Sequence, residues 1–318
     1  MDNTPKNFGL IGVAGYIAER HLKAIKETGN RLLASLDKFD CVGKIDNYFP
    51  ESDFFVEFER FDRHVDKLKR VGVQLDYVSI CSPNYLHDSH IRFALRHHAD
   101  AICEKPVVLN PWNIDALQEI EKETGHRIYN ILQLRYHPVI MELRNRIAAM
   151  PSGKKHDIDL TYITSRGHWY DISWKGDVNK SGGIATNIGV HFFDMLIWMF
   201  GDVVKNVVHL SEDSKVGGFL ELRNARVRWF LSIDRNDLRY IDGAPPDKTY
   251  RSIRINGEEV EFSEGFTDLH TLSYQKILTG EGFRIPDVRP SIETVYSIKQ
   301  GNAVGLQGEY HPILQKLV

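Results

Sequence analysis

Short apolar runs alternate with amphipathic helical patterns through the first part of the chain. The run at residues 8–13 is followed by Ala18, Leu22 and Ile25 at helical spacing, and the alternation continues to the run at 128–133. At least five strands alternate with helices in this way. The pattern therefore predicts an α/β domain with a parallel, doubly wound sheet of the Rossmann type.

A second pattern begins after residues 151–153, where every other position of several long runs is apolar. These runs predict an α+β domain with a large, mainly antiparallel sheet that has one covered face. We expect helices near 267–278 and 290–300 to cover the sheet or to return to the first domain. The expected domains are residues 1–135 and 136–318. The predicted strands are residues 158–164, 227–233 and 253–262, the last folded as a hairpin at Asn256 and Gly257.

Composition narrows the function classes. The 318 residues are 26% charged and 42% hydrophobic with a net charge of −3, so no basic field attracts nucleic acid. Cys41, Cys81 and Cys103 lack Cys-x-x-Cys spacing, which favours reduced core thiols and no structural metal. The apolar segment 188–200 is broken by a histidine and an aspartate, and the N-terminal apolar run is only strand-sized. We expect a cytoplasmic protein without a membrane span or secretion signal.

A glycine turn follows the first apolar run. Gly12, Ala14 and Gly15 are small enough for the backbone to approach a pyrophosphate at the start of a helix, although their spacing departs from G-x-G-x-x-G. A second strand, residues 31–37, ends in Asp37. A carboxylate there would accept hydrogen bonds from the adenosine ribose hydroxyls and repel a 2′-phosphate. The two features together favour NAD over NADP.

Two later strand ends also carry polar turns. The strand at 75–81 runs into Ser-Pro-Asn-Tyr-Leu-His at residues 82–87, and the strand near 99–103 ends in Glu104, Lys105 and Pro106. Ligands of parallel sheets bind beyond the carboxyl ends of the strands, so Lys105 is expected to point into the binding cleft. The following proline removes a backbone donor, fixes the turn and can be cis.

Two polar stretches in the second half favour a functional site. Residues 166–175 hold two tryptophans, a tyrosine and two cations without any period, which is typical of a binding loop. In residues 181–194 a glycine loop enters an apolar helix, where Asn187, His191 and Asp194 are spaced i, i+4 and i+7. That spacing predicts one polar stripe on the helix, which favours a site over a satisfied core histidine.

In order along the chain, these stretches resemble the glucose-fructose oxidoreductase and inositol dehydrogenase family. The motifs are the glycine turn, Ser-Pro-Asn-x-x-His, Glu-Lys-Pro, Trp-Lys where the family often has Trp-Arg, and Gly-Gly-x-x-x-Asn-x-Gly-x-His-x-x-Asp. The resemblance covers essentially the whole chain. Within the family, residues 15–21, 169–176 and 187–194 are similar to bacterial UDP-N-acetyl-2-amino-2-deoxyglucuronate dehydrogenases.

The resemblance implies NAD-dependent oxidation of the 3-hydroxyl of UDP-N-acetyl-D-glucosaminuronic acid, in the biosynthesis of surface polysaccharide such as O-antigen. It makes Lys105 the proton-transferring lysine and His191 its partner. Asn187 stands where many relatives have Asp, so His191 lacks that carboxylate. Either Lys105 or His191 could therefore take the proton. Arg166 is a candidate for the uronate carboxylate, because a guanidinium can bind it through two parallel hydrogen bonds, but a surface role fits it equally well.

The implied cofactor and substrate residues come from both halves of the chain. The NAD site would include Gly12, Tyr16, Ile17, Asp37, Ser82, Asn84, His87, Glu104 and Lys105, with Gln133, Trp174 and Lys175 towards the nicotinamide. The substrate site would include Lys105, Arg166, Tyr170, Asn187 and His191.

The resemblance also implies how the enzyme is used. NADH could stay bound and be reoxidised by 2-oxoglutarate, and subunits would pair through the exposed face of the second sheet as a dimer or tetramer. Two alternatives remain open from the residues: a dehydrogenase of another sugar or of a free cyclitol, and a non-catalytic NAD-binding regulator on the same fold.

Overall fold

The computed structural model describes residues 4–150, 153, 155–244, 249–261, 266 and 268–317. Pro151 and Ser152, Phe262 at the end of the expected hairpin, and Thr267 lie outside these residues. The chain divides into two compact units, one of Met1–Tyr136 with Thr267–Arg289 and one of His137–Phe266 with Pro290–Val318. Each unit contains one six-stranded sheet. Our domain limits of 1–135 and 136–318 remain a prediction.

The sheet of the first unit is parallel, as expected, with strand order β3-β2-β1-β4-β5-β6. This order places all six carboxyl ends along one edge, with the reversal of strand order beside β1. The third strand, of three residues, was not predicted. The strands are β1 (Asn7–Ile11), β2 (Arg31–Leu36), β3 (Asp53–Phe55), β4 (Tyr77–Ile80), β5 (Asp100–Cys103) and β6 (Ile128–Asn130).

Amphipathic helices connect these strands and bury one face each. The first of them buries the predicted Ala18, Leu22 and Ile25, and Gly29, which follows its C-cap, has a positive φ of 75°. Cys81 and Cys103 are buried, and all three cysteines are unpaired. The helices are α1 (Ala18–Glu27), α2 (Val42–Asp46), α3 (Phe58–Arg70), α4 (His87–Arg96) and α5 (Pro111–Thr124).

One helix of the first unit comes from near the end of the chain. Residues 269–278, which form a helix of this unit, pack against α1, and Tyr274 is fully buried in the same core cluster as Phe8 and Leu22. The Tyr274 ring stacks on Phe8 at 5.8 Å between centroids. The first core is thus completed by a segment that follows the second sheet in sequence.

The sheet of the second unit is mixed, with strand order β12-β11-β7-β10-β9-β8. As expected, the sheet is mainly antiparallel; the exception is β10, which runs parallel to β7. The expected hairpin turns at Asn256 and Gly257, but its second strand has only two residues. The strands are β7 (His156–Ile163), β8 (Val203–Ser211), β9 (Lys215–Leu222), β10 (Ala225–Ser232), β11 (Tyr250–Ile255) and β12 (Glu258–Glu259).

A buried helix covers one face of the second sheet. Phe193 of this helix contacts Trp229 of β10 at 5.1 Å, and Phe192 contacts Tyr162 of β7 at the same distance between ring centroids. By length and composition the helical run Val178–Phe200 could cross a membrane, but 78% of its apolar window is buried in the fold. The remaining helices are α6 (Pro138–Ala148), α7 (His168–Ile172), α8 (Val178–Ser181), α9 (Val190–Phe200), α10 (Leu269–Leu278) and α11 (Ile285–Gln300).

Candidate active site

The glycine turn after β1 lies directly on the turn after β4. Gly12 has a φ of +89°, and a Cβ atom there would lie 2.5 Å from the backbone nitrogen of Ser82. Its N–H donates to the Leu36 carbonyl at 2.8 Å. Because neither the φ nor the contact tolerates a side chain, this position requires glycine.

Asp37 follows β2, where the sequence predicted an acid for the ribose hydroxyls. Its Oδ2 accepts a hydrogen bond from the Ala14 N–H, and its Oδ1 accepts one from the Phe39 N–H, both at 3.0 Å. A carboxylate has about four acceptor positions, so these two bonds leave capacity for hydroxyl donors. The acid thus also holds the glycine turn in place.

Backbone donors remain at the start of α1. Within the described part of the chain, the N–H groups of Tyr16 and Ile17 make no hydrogen bond, whereas Gly12, Val13, Ala14 and Gly15 all donate. The Tyr16 side chain is 84% exposed. Unsatisfied amides at a helix N-terminus are the groups that bind phosphate.

A lysine that sequence reasoning missed closes the other side of the glycine turn. Lys44, on α2, donates to the carbonyl oxygens of Ala14 at 3.1 Å and Gly15 at 3.2 Å. The lysine is 29 or 30 positions away from these acceptors, so no local motif signals the contact.

The turn after β4 is held by two histidines. The ring nitrogens of His87 lie 2.7 Å from the Pro106 carbonyl oxygen and 2.8 Å from that of Ser82. His90 Nδ1 lies 2.8 Å from Ser82 Oγ, and burial lowers the pKa of His90 to about 4. Both nitrogens of His87 therefore serve to join the turns after β4 and β5, and its expected contact with NAD remains a prediction. Asn84 is buried in the same turn.

Glu104 and Lys105 lie at the end of β5, and the Lys105–Pro106 peptide is cis, as the sequence allowed. The Glu104 carboxylate points into the unit rather than out of it: its Oε1 accepts hydrogen bonds from Nε2 of His21 at 3.0 Å and of His270 at 2.9 Å. Its Oε2 accepts from the Lys105 N–H at 3.2 Å. Glu104 is thus tied to its neighbour and to two histidines, and a contact with the cofactor stays a prediction.

Two acceptors without a hydrogen-bond partner lie at the carboxyl end of β6, one on its last residue and one just after it. Gln133 Oε1 and Asn130 Oδ1 are buried and make no hydrogen bond among the described residues. Asn130 was not predicted; its amide nitrogen donates to the Cys103 and Glu104 carbonyls. The nicotinamide carboxamide carries two N–H donors, so an orphaned acceptor at this edge fits that group. NAD fits the features found at this edge of the sheet, which are the close backbone approach at Gly12, the free amides of Tyr16 and Ile17, the Asp37 carboxylate and these acceptors.

The second unit brings three of the predicted substrate residues together. Asn187 donates from Nδ2 to the Tyr170 hydroxyl at 3.2 Å, and the Arg166 guanidinium lies 5.8 Å from the centre of the Tyr170 ring. Tyr170 is buried, which raises the pKa of its hydroxyl, while Arg166 is exposed. The Arg166 guanidinium thus lies near the Tyr170 ring, and the Asn187 amide is hydrogen-bonded to the hydroxyl of the same tyrosine.

The Trp-Lys pair lies in the same loop. Lys175 Nζ lies 5.8 Å from the centre of the Trp174 ring. Partial desolvation and then the positive charge of Arg166 lower the pKa of Lys175. Two cations that repel each other in a partly desolvated loop favour an anionic ligand. Trp169, in the adjacent α7, is 77% exposed, which agrees with a binding loop rather than a core element.

The polar stripe expected at 187–194 differs in detail. Residues Ala185–Gly189 form a π-helical turn, and α9 starts only at Val190. Asn187 therefore precedes the α-helix, in the π-helical turn that leads into it, and His191 follows four residues later. His191 is half-buried in the first turn of α9, and Asp194 is buried. A π-turn of this kind is frequent at functional sites.

The most informative comparison is with a solved dehydrogenase. The chain is 48% identical to the WlbA (WbpB) dehydrogenase from Thermus thermophilus, solved with NAD and UDP-GlcNAcA, over 96% of this chain and 99% of that one, with a TM-score of 0.90. A second structure of that enzyme, with NAD and alpha-ketoglutarate, has a TM-score of 0.91 at the same identity, covering 96% and 98% of the two chains.

Curated relatives are more distant. Inositol 2-dehydrogenase from Rhizobium meliloti (strain 1021) is 26% identical over 61% of this chain and 55% of its own length. Glucose-6-phosphate 3-dehydrogenase from Bacillus subtilis (strain 168) is 26% identical over 66% and 59%. The chain thus spans little more than half the length of the curated relatives it matches.

Two sequence models of one family match the two halves of the chain. The model described as "Oxidoreductase family, NAD-binding Rossmann fold" matches residues 6–131, and the model described as "Oxidoreductase family, C-terminal alpha/beta domain" matches residues 154–241. Together with 48% identity to a solved relative over nearly the full chain, they confirm the resemblance found in the motifs. The chain belongs to the GFO/IDH/MocA family of oxidoreductases, whose N-terminal domain is an NAD-binding Rossmann fold.

Proposed function

We propose that this protein is an NAD-dependent dehydrogenase that oxidises the 3-hydroxyl of UDP-N-acetyl-D-glucosaminuronic acid to the 3-keto sugar. The observation that carries the proposal is the 48% identity, over 96% of the chain, to a dehydrogenase solved with NAD and UDP-GlcNAcA. The free amides before α1, the Asp37 carboxylate and the orphaned Gln133 oxygen support the cofactor part of the proposal.

Oxidation of a secondary alcohol needs a base, because an alkoxide formed alone is too unstable at neutral pH. NAD, when bound, supplies the hydride acceptor. In our proposal Lys105 removes the hydroxyl proton, since it follows β5 at the edge where parallel sheets bind ligands. His191, with its imidazole in the first turn of α9, is the partner of Lys105 at the reacting hydroxyl and the alternative base.

The charged loop of the second unit supports an anionic sugar as the substrate. Arg166 and Lys175 lie close enough for the positive charge of Arg166 to lower the pKa of Lys175. A carboxylate between or beside the two cations would relieve that repulsion. We therefore assign the uronate carboxylate to Arg166, with Lys175 as the second cation and Tyr170 and Asn187 as nearby polar groups.

Replacing Arg166 by Ala should raise KM for the UDP-uronate about tenfold or more, because a charge-assisted hydrogen bond contributes about 1.5–3 kcal/mol. Arg166→Lys should restore part of this, since it keeps the charge without the two-bond geometry. Initial rates across a substrate series measure the effect. Arg146→Ala, at another exposed arginine of the same unit, should leave KM unchanged. An unaltered KM in Arg166→Ala would show that Arg166 does not bind the uronate carboxylate.

The T. thermophilus enzyme solved with alpha-ketoglutarate supports a second step. In our proposal 2-oxoglutarate reoxidises NADH without release of the cofactor, and the two carboxylates of this acid suit the same pair of cations, Arg166 and Lys175. We further propose a cytoplasmic homo-oligomer, a dimer or homotetramer, that serves lipopolysaccharide and O-antigen biosynthesis. Neither nucleic acid nor a membrane is a partner in this proposal.

Absorbance at the reduced-nicotinamide band tests the proposal directly. Purified protein mixed with UDP-N-acetylglucosaminuronic acid should reduce NAD, and the neutral UDP-N-acetylglucosamine should not. Signal without added NAD, returned to baseline by 2-oxoglutarate, would support retained cofactor. If the acid is inert but another sugar or a free cyclitol is oxidised, the substrate assignment is wrong. NAD binding without turnover on any polyol would favour the regulatory alternative.

A further inference from the structure

A buried chain of hydrogen bonds in the first unit ends at the residue beside Lys105. Glu104 Oε1 accepts hydrogen bonds from Nε2 of both His21 and His270. On the other side of its ring, His21 Nδ1 lies 2.7 Å from the Tyr274 hydroxyl. Each of these four residues is at most 6% exposed. Neither the two histidines nor the tyrosine was predicted from the sequence as a site residue.

The direction of the hydrogen bonds is consistent along the whole chain. Burial lowers the pKa of His21, so its imidazole is neutral, with Nε2–H donating to Glu104 and Nδ1 accepting from the Tyr274 hydroxyl. Burial raises the pKa of the Tyr274 hydroxyl well above its usual value, so the proton stays on that oxygen. The same oxygen lies 2.6 Å from Ser79 Oγ, which donates to it.

The chain ends on a buried anion. Burial alone would raise the pKa of Glu104, but the hydrogen bonds from His21 and His270, together with the electrostatic interactions with these two rings, hold it well below its usual value. The carboxylate is therefore ionised throughout the neutral range. Its other oxygen, Oε2, accepts the backbone N–H of Lys105. Any movement or protonation of Glu104 is thus transmitted directly to the backbone of Lys105.

We propose that His21, His270 and Tyr274 are positioning residues for the dehydrogenase reaction. They keep Glu104 ionised and oriented, and Glu104 in turn holds Lys105 where it removes the proton from the substrate. A buried carboxylate that loses a donor must take up a proton or move, because an unpaired buried charge is strongly disfavoured. The role of Lys105 in this inference rests on the proposed function.

Two residues of the network lie on α10, and their polar character favours a positioning role. His270 and Tyr274 lie one turn apart on α10, far along the chain from Glu104. A helix that served only to cover the core would need apolar side chains at these two buried positions. Two polar groups there, both joined to the same carboxylate network, are what a positioning role requires.

The same three groups could in principle bind a metal ion. The candidate ligand atoms of His21, Glu104 and His270 all lie within 4.8 Å of one another. In the structure, both Nε2 atoms are directed at one carboxylate oxygen at hydrogen-bond distance. Our inference is that these are hydrogen bonds, and elemental analysis of the purified protein tests this point.

His270→Leu removes the donor on α10, and His270→Gln keeps an N–H donor near the same place. His270→Leu should lower kcat about tenfold while KM for NAD stays within about twofold, since only the alignment of the base is lost. His270→Gln should restore most of the rate. His97→Leu is the matched control, because His97 pairs with Asp62 at 2.7 Å in the same unit and lies before the amino end of β5, whereas Glu104 follows its carboxyl end.

A second variant keeps the test informative if His270→Leu folds poorly. Tyr274→Phe keeps the stacked ring and removes only the hydroxyl that bonds His21 and Ser79, and it should lower kcat about threefold at unchanged KM for NAD. Thermal unfolding of each variant is measured in parallel. A purely stabilising network would lower the unfolding temperature without changing kcat at an assay temperature well below it.

Several results would overturn the inference. Wild-type kcat in both His270→Leu and Tyr274→Phe would do so, as would equal loss in His270→Gln and His270→Leu at equal stability. One metal ion per chain in the purified protein would show that His21, Glu104 and His270 bind a metal ion and are not joined by hydrogen bonds. If Lys105→Met retains turnover, the proposed base is wrong; if Lys105→Met is inactive while His270→Leu and Tyr274→Phe both have the wild-type rate, only the positioning role fails.

Discussion

Replacement of Lys105 by Met should reduce kcat by about a thousandfold, because a general base in proton transfer contributes roughly 10²–10⁴ in rate. Methionine keeps a long, flexible side chain of similar reach and removes only the amine. Binding of NAD should change little, since the turn is held by the His87 ring and the Glu104 carboxylate rather than by the lysine ammonium. Single-turnover absorbance and a fluorescence titration with NAD measure the two quantities separately.

The control for Lys105→Met is Lys122→Met, at an exposed lysine of α5 in the same unit. It should retain the wild-type rate. A comparison with His191→Asn decides which group takes the proton. If Lys105 is the base and His191 its partner, the double variant should be little slower than Lys105→Met alone, because groups that act as a unit are non-additive. Turnover near the wild-type rate in Lys105→Met would transfer the base role to His191.

Replacement of Gly12 by Ala should abolish measurable NAD binding and destabilise the protein by about 3 kcal/mol or more. Two causes add at this position: strain at positive φ, of order 1–2 kcal/mol, and overlap with backbone that cannot move aside as a side chain could. The added Cβ would lie 2.5–2.7 Å from three backbone atoms of Cys81 and Ser82. Urea unfolding and isothermal titration with NAD measure the two effects.

Gly29→Ala separates the two causes. Gly29 has a similar φ of +75°, but nothing lies within 4 Å of an added Cβ. The Gly29→Ala variant should therefore be destabilised only by the backbone strain at positive φ, and it should bind NAD normally. Gly15→Ala tests a close contact without the strain, because its φ is not positive and the Cβ would approach the Gly12 carbonyl oxygen at 3.1 Å; it should be less destabilising than Gly12→Ala. Equal stability of Gly12→Ala and Gly29→Ala would show that the contact with the turn after β4 is unimportant.

The sequence predicted those parts of the fold and candidate site that have local signals. The glycine turn, Asp37 and Glu-Lys-Pro each lie at the end of an apolar run, and a parallel sheet necessarily places such ends on one edge. The elements that were missed lack this signal. In β9, Gly217 and Gly218 weaken the strand pattern, yet Gly218 is needed there because an added Cβ would lie 2.6 Å from the Trp229 ring.

Pairing direction and distant partners could not be predicted. Periodicity identifies which residues of β7 and β10 face the core, but it is the same whether the two strands run parallel or antiparallel. No local pattern marks Lys44, His270 or Tyr274 as site residues, because their roles depend on contacts with residues far away in the chain. The π-helical turn at Asn187 was missed because its polar spacing fits an α-helix equally well.

The placement of α10 has a consequence for synthesis on the ribosome. Tyr274 and Ile277 belong to the core cluster around Phe8, so the nucleotide-binding unit cannot close its apolar interior until residues well past 270 have left the exit tunnel. The second sheet, which precedes α10, emerges first. The nascent Rossmann half must therefore wait until residues beyond Ile277 have been translated, and until then its apolar surface is open to chaperones or to other nascent chains.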